Sequence, residues 1–130
     1  NITNKLDIKI TQEMINNYAE ASKDYNPIHI DEEFASKSLF KSRIAHGMLT
    51  ISIIIEYLYK IYSKKIIENT IFEARLKNPV YPEESIQISL EEKSKEKINI
   101  ICKKENGDDY SNSTIKKVVE IFRILFDKVF

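Results

Sequence analysis

The chain has only two histidines, His29 and His46, and each stands beside a group it could work with. In the run Asp24-Tyr25-Asn26-Pro27-Ile28-His29, a carboxylate and an imidazole lie five residues apart. On a helix the two would diverge, but on a loop stiffened by proline they can converge on one point. A carboxylate and an imidazole around one water form a general acid–base pair. The plainer alternative is a surface loop whose Asp and His do nothing. His46-Gly47 supplies a second part. A glycine at a helix N-terminus exposes free backbone N–H groups and lets a ligand approach closely. With the helix dipole behind them, those groups suit a developing oxyanion. Here the plainer alternatives are a glycine that only lets the chain turn into the helix and a His46 that is packed and hydrogen-bonded.

The elements around these residues follow from hydrophobic period. Residues 5–10 alternate apolar and polar, which predicts a short strand. Thr11 caps a helix through about residue 21, with Glu13 in its first turn and Met14, Ile15, Tyr18 and Ala19 on one face. Residues 22–30 read as a loop, since Asn26 precedes proline. Asp31 caps a short helix through about Ser38, and residues 39–45 connect it onward. From Met48 to Tyr62 the sequence predicts a helix of about four turns, roughly 22 Å long. It is apolar almost all round except for Ser52, Glu56 and Lys60 at four-residue spacing, so it is a covered helix with one thin polar stripe. Glu56 and Lys60 can pair along that stripe. Ile44 to Tyr62 is greasy enough to raise a membrane span, but His46, Glu56 and Lys60 interrupt it.

From residue 68 the period becomes two. Strands are predicted around Phe72–Lys77, Ile86–Leu90, Ile98–Cys102 and Thr114–Leu125, with a turn at Asn106-Gly107 and proline breaks at Pro79 and Pro82. The sum is an α+β chain: a strand, two helices, a long buried helix and an antiparallel meander of four strands. One helix against one sheet solves the burial problem if the sheet curls around it.

Composition narrows the function classes. Lys and Arg number 20, as do Asp and Glu, so there is no electrostatic footprint for nucleic acid. Two glycines leave no room for a P-loop or a dinucleotide fingerprint. One cysteine, Cys102, forms no internal disulfide and fits a reducing, cytoplasmic setting, and nothing near Asn1 resembles a signal peptide. No linker, repeat or low-complexity tract interrupts residues 1–130, which read as one domain. Two histidines and one cysteine, widely spaced, make no metal ligand set. Cys102 reads as a small buried residue, and the lysine pairs 64–65, 103–104 and 116–117 as solvated surface.

Tyr18, Ser22, Asp24, Asn26-Pro27-Ile28-His29, Ala35, Phe40, Ile44-Ala45-His46-Gly47-Met48-Leu49 and Ser52 together resemble the hydratase motif of the MaoC-like family, the (R)-specific enoyl-CoA hydratases. Pro79-Val80 and Pro82 resemble its later strand break. The resemblance implies a hot-dog fold, a curved antiparallel sheet wrapped around a long central helix. It implies Asp24 and His29 as the catalytic pair and the Gly47 N–H as the donor to a thioester carbonyl. Asn26 would support the loop, and His46 and Ser52 would brace or line the substrate site. The implied substrate is an acyl-CoA, with no metal or other cofactor, and the implied assembly is a homodimer. Three positions depart from the pattern: Lys23 stands where the family has glycine, Ala21 where it has a larger aliphatic residue, and Glu83-Glu84 where it has Gly-Asp. If position 23 needs φ > 0, lysine strains the loop there.

Hydration of a trans-2-enoyl thioester needs water deprotonated as it attacks C3, a proton delivered to C2, and a donor for charge on the carbonyl oxygen. Asp24 reads as the base and His29 as the proton source, with the roles exchangeable. Three other readings share the fold: dehydration of a 3-hydroxyacyl chain on a carrier protein, thioester hydrolysis with Glu56 activating water, and a non-catalytic acyl-thioester-binding subunit.

Overall fold

In the computed structural model, residues 2–117 and 127–128 are described. Strand β1 (Ile2–Lys9) leads into helix α1 (Gln12–Ser22), whose cap Thr11 accepts a hydrogen bond from the Met14 N–H at 3.1 Å. Two short helices follow, α2 (Pro27–Ile30) and α3 (Glu32–Ser36), then the long α4 (Gly47–Tyr62) and a 3-10 turn at Lys64–Ile67. Strands β2 (Thr70–Leu76), β3 (Ser85–Ser94), β4 (Lys97–Lys104) and β5 (Asp109–Lys117) complete one antiparallel sheet, in the order β1-β3-β4-β5-β2. Its inner face is read off the register: Ile88 and Leu90 of β3 pair with Cys102 and Ile100 of β4, those two pair with Ser111 and Ser113 of β5, Ile98 of β4 pairs with Ile115 of β5, and Ile86 continues the face on β3. All nine are buried, and Leu49, Ile54, Tyr57 and Leu58 of α4 close the core. Each fully buried Ile or Leu here is worth about 1.5–3 kcal/mol relative to exposure.

Helix α4 begins one residue earlier than its period predicts and carries the expected stripe. Met48, Ser52, Glu56 and Lys60 are its exposed residues at four-residue spacing, and Lys60 Nζ lies 3.1 Å from Glu56. No helix among the described residues is long and apolar enough to cross a membrane.

Three expectations are corrected. The segment at residues 22–30 is not all loop, because α2 forms with Pro27 at its first position and Asn26 Oδ1 accepting from the Ile28 N–H at 3.1 Å. Proline costs a helix start nothing, since that N–H would be unpaired anyway. Second, the last four strands are not a simple meander. The proline-broken segment 77–84 is no hairpin; it carries the chain from β2, at one edge beside β5, to β3 beside β1. Third, β5 starts at Asp109 rather than Thr114, because the turn at Gly107 (φ 90) is tight and returns the chain at once. Its small polar inward residues hide the strand from a hydrophobic pattern. The expected continuation over 118–125 lies outside the described residues.

Lys23 adopts φ 63 and ψ 20 as the C-cap of α1, and Glu83 has φ 72. Both positions are therefore left-handed, where an L side chain costs roughly 1–2 kcal/mol and glycine nothing. Lys23 turns its ammonium to Glu20, at 3.7 Å, on the exposed side of α1. Glycine pays back part of the relief as backbone entropy, about 0.5–1 kcal/mol. Lys23→Gly is therefore expected to stabilise the protein by up to about 1 kcal/mol, seen as a higher midpoint in urea at unchanged slope. A lower midpoint would show that the side chain contributes more than the strain costs.

Candidate active site

Ser22, Asp24 and Asn26 build the loop after α1 by local hydrogen bonds. Ser22 Oγ donates to Tyr18 O at 2.7 Å and accepts from the Asp24 N–H at 3.2 Å, and Asp24 Oδ1 accepts from the Asn26 N–H at 3.2 Å. Such side-chain turns are what these residue types do outside helices. The loop is held from outside at three points: Gln12 Nε2 donates to His29 O at 2.9 Å, the Ile44 N–H to Ile28 O at 3.2 Å, and His29 Nδ1 to Ile44 O at 2.8 Å. A carbonyl oxygen only accepts, so Nδ1 carries the proton and Nε2 of a neutral His29 is a free acceptor.

The convergence expected from the spacing is present. Donor atoms of Asp24, His29 and His46 all lie within 4.8 Å of one another. His29 is half-buried and Asp24 exposed at this loop. His46 is 2% exposed, its ring stacks on His29 at 3.8 Å between centroids, and Tyr18 packs against it at 4.8 Å. Its Nε2 donates to Asp24 O at 3.1 Å, while buried Nδ1 finds no partner among the described residues. Burial lowers its pKa from the ordinary 6.5, the nearby His29 adds to that, and the Asp24 carbonyl and carboxylate oppose it. The same three residues form a geometric metal cluster that sequence separation alone argued against, because the fold closes the gap between His29 and His46.

Gly47 opens α4, which has no side-chain cap; the Leu49 N–H donates to His46 O at 3.1 Å, and the Gly47 and Met48 N–H groups ahead of it keep no intrahelical partner. The Ala45 N–H bonds to Val80 O at 2.8 Å and fixes this end against the 77–84 segment. That segment is pinned in turn by Lys104, whose side chain is 12% exposed and donates to Pro79 O and Glu84 at 3.0 Å each. Lys104 is thus a structural cation rather than the solvated residue expected. Gly47, His29, Ile44, Phe40, Leu76 and Tyr110 line one cavity of about 330 Å³. Asp24 is not among its lining residues and meets it through His29. A larger hollow, about 460 Å³, lies at Asp7, Gln87 and Lys103 and holds no imidazole.

Asn26 supports the loop by capping α2 with its Oδ1. Two side chains expected at the substrate are engaged elsewhere: Ser52 is exposed and donates back to Met48 O at 2.8 Å, within its own helix, and His46 holds the loop rather than lining the cavity. Glu56 is exposed and paired with Lys60, which leaves hydrolysis through Glu56 without support. Cys102 is fully buried and its thiol is pushed up to about 11, so it is no nucleophile at neutral pH. Sequence reasoning missed Tyr110 and Leu76. Tyr110 turns inward because a bulge separates the pairs Cys102–Ser111 and Lys103–Asp109, leaving it the extra residue.

A family model described as MaoC like domain matches residues 2–114. A 3-hydroxyacyl-thioester dehydratase Z of Mycobacterium tuberculosis is 36% identical over 58 residues, 45% of this chain and 38% of that protein. An (R)-specific enoyl-CoA hydratase of Rhodospirillum rubrum is 49% identical over 37 residues, 28% of this chain and 26% of that protein. The matches thus span less than two-fifths of these relatives' length. Among solved structures, an R-hydratase of Pseudomonas aeruginosa superposes with a TM-score of 0.71 at 23% identity, covering 87% of this chain and 76% of its own. That likeness shows the shared hot-dog fold.

The lowered pKa of His46 has a thermodynamic consequence. The unfolded chain takes up a proton near pH 6.5 and the folded chain only at lower pH, so stability falls as pH drops below about 6.5. His46→Gln keeps a donor near the Nε2 position without the titration. Urea denaturation of both proteins from pH 8 to pH 5 is expected to show wild type losing more stability than the variant. Parallel pH curves would mean that His46 titrates normally.

Proposed function

The chain belongs to the MaoC-like domain family, and from that premise we propose that it adds water to trans-2-enoyl-CoA to give (R)-3-hydroxyacyl-CoA, or runs the reverse dehydration. One observation carries the reading: an imidazole with its Nε2 uncommitted, next to a carboxylate, lines the same cavity as the start of α4. The thioester oxygen would accept from the Gly47 N–H, where the helix end meets the enolate charge that builds during addition. Loss of one such donor typically costs about 10² to 10³ in rate.

The tautomer supports an exchange of the roles expected from sequence. Since His29 Nδ1–H is committed to Ile44 O, Nε2 takes the proton from water as the oxygen attacks C3. The imidazolium then returns that proton to C2. Water supplies both the hydroxyl and the hydrogen, and both arrive on one face. Asp24 orients the water and stabilises the imidazolium, while His46, held neutral by burial, adds no second positive charge against the stacked His29. No step calls on a metal or redox cofactor. We place two copies side by side as a homodimer, a reading supported by the outer edge of β2, which has no strand partner among the described residues.

A second handle is favoured by one relative. A mitochondrial 3-hydroxyacyl-[acyl-carrier-protein] dehydratase of Arabidopsis thaliana is 50% identical over 42 residues, 32% of this chain and 25% of that protein. Dehydration on a carrier protein uses the same groups and differs only in what holds the thioester. Purified protein is expected to consume crotonyl-CoA, followed as loss of enoyl-thioester absorbance. His29→Ala should cost at least about 10² in kcat/KM and Asp24→Asn a similar factor, with unchanged circular dichroism. Wild-type rates in both variants would refute the assignment, and tight acyl-CoA binding without turnover would identify a binding subunit.

A further inference from the structure

Leu76 is the last residue of β2 and pairs with Ser111, which faces the core, so its side chain points inward toward α4. A methyl group built on Gly47 would run into Leu76 Cδ1. Leu76 therefore rests on the α-carbon whose N–H is the proposed thioester donor, and it lines the same cavity. Despite facing inward it is 44% exposed. The next inward residue of β2, Ala74, is also exposed, and Phe72 beyond it is half-buried against the core. An uncovered strip of β2 thus begins where the cavity ends, with one flexible side chain between them. The cavity itself, about 330 Å³, is at the small end for a ligand site and must also admit the end of the pantetheine arm.

We propose that Leu76 sets the length of acyl chain the site accepts: its isobutyl group stands between the cleft beside Gly47 and the strip over Ala74, so the protein handles short acyl thioesters. The inference rests on the reading above for its substrate class, and on the contact with Gly47 for its location. A chain of about four carbons fits in the cleft on the Gly47 side of Leu76. A longer tail meets Leu76 and has to displace it before lying along the inner face of β2. Phe40 and Tyr110, the other bulky lining residues, wall the cavity, and Tyr110 is buried at 2% exposure, so it is not free to swing away.

The test compares wild type, Leu76→Ala and Leu76→Phe on two readouts. One is kcat/KM for eight-carbon against four-carbon 2-enoyl-CoA; the other is calorimetric affinity for octanoyl-CoA against butyryl-CoA. Because Leu76 is partly exposed, both variants should stay folded, which circular dichroism checks. The alanine variant is expected to raise the long-to-short ratio at least tenfold in each readout, and the phenylalanine variant to lower it. Shifted affinity ratios without any turnover would uphold the gate and overturn the hydratase reading. Turnover with ratios unchanged within twofold in both variants would overturn the gate alone. Failure of wild type to bind any acyl-CoA would overturn both.

Discussion

A buried, neutral imidazole holds the candidate site together. His46 donates from Nε2 to the backbone carbonyl of Asp24, stacks on His29 and packs against Tyr18. One side chain thereby joins the loop that carries the carboxylate to the start of the helix that carries Gly47. Charging that imidazole would place a cation in a nearly dry position against a second imidazole, which is why burial and His29 both lower its pKa. The loop's hydrogen bonds, the α4 terminus and the stacked rings are all referred to this contact.

The rest of the fold acts as its frame. Lys104 on β4 grips the 77–84 segment, Val80 in that segment accepts from Ala45, and Ala45 precedes His46. Tyr81 reaches back to Phe40 O at 2.9 Å. A cation on the sheet thus positions a helix end through two backbone links, and the Gly47 and Met48 N–H groups stay uncapped without the start of α4 drifting. Leaving a helix uncapped costs about 1 kcal/mol. The left-handed Lys23 adds strain at the turn that leads into the Asp24 loop.

The architecture and the reacting pair were legible because they are local signals. Period 3.6 in residues 47–62 and period 2 after residue 68 report which faces are buried, and Asp24 to His29 is short enough for a proline to govern. The order of the strands was not legible, since β2 finds β5 through a contact between distant segments that no local pattern encodes. The inward turn of Tyr110 depends on a bulge, which is a mismatch between two strands and belongs to neither alone. Ser52 misled for a related reason: a small polar side chain fits a substrate contact or a local backbone bond equally well, and only geometry chooses.

By itself, then, the amino-acid order determined a sheet against one covered helix, a carboxylate and imidazole on one stiff loop, and a glycine at a helix start, because each follows from neighbours within a few residues. Tertiary structure alone decided that His46 bridges loop and helix, that His29 presents Nε2, that Lys104 is structural and that Leu76 lies on Gly47. Those outcomes depend on which atoms meet across long stretches of chain, and a hydrogen bond or a steric contact exists only once that meeting is made.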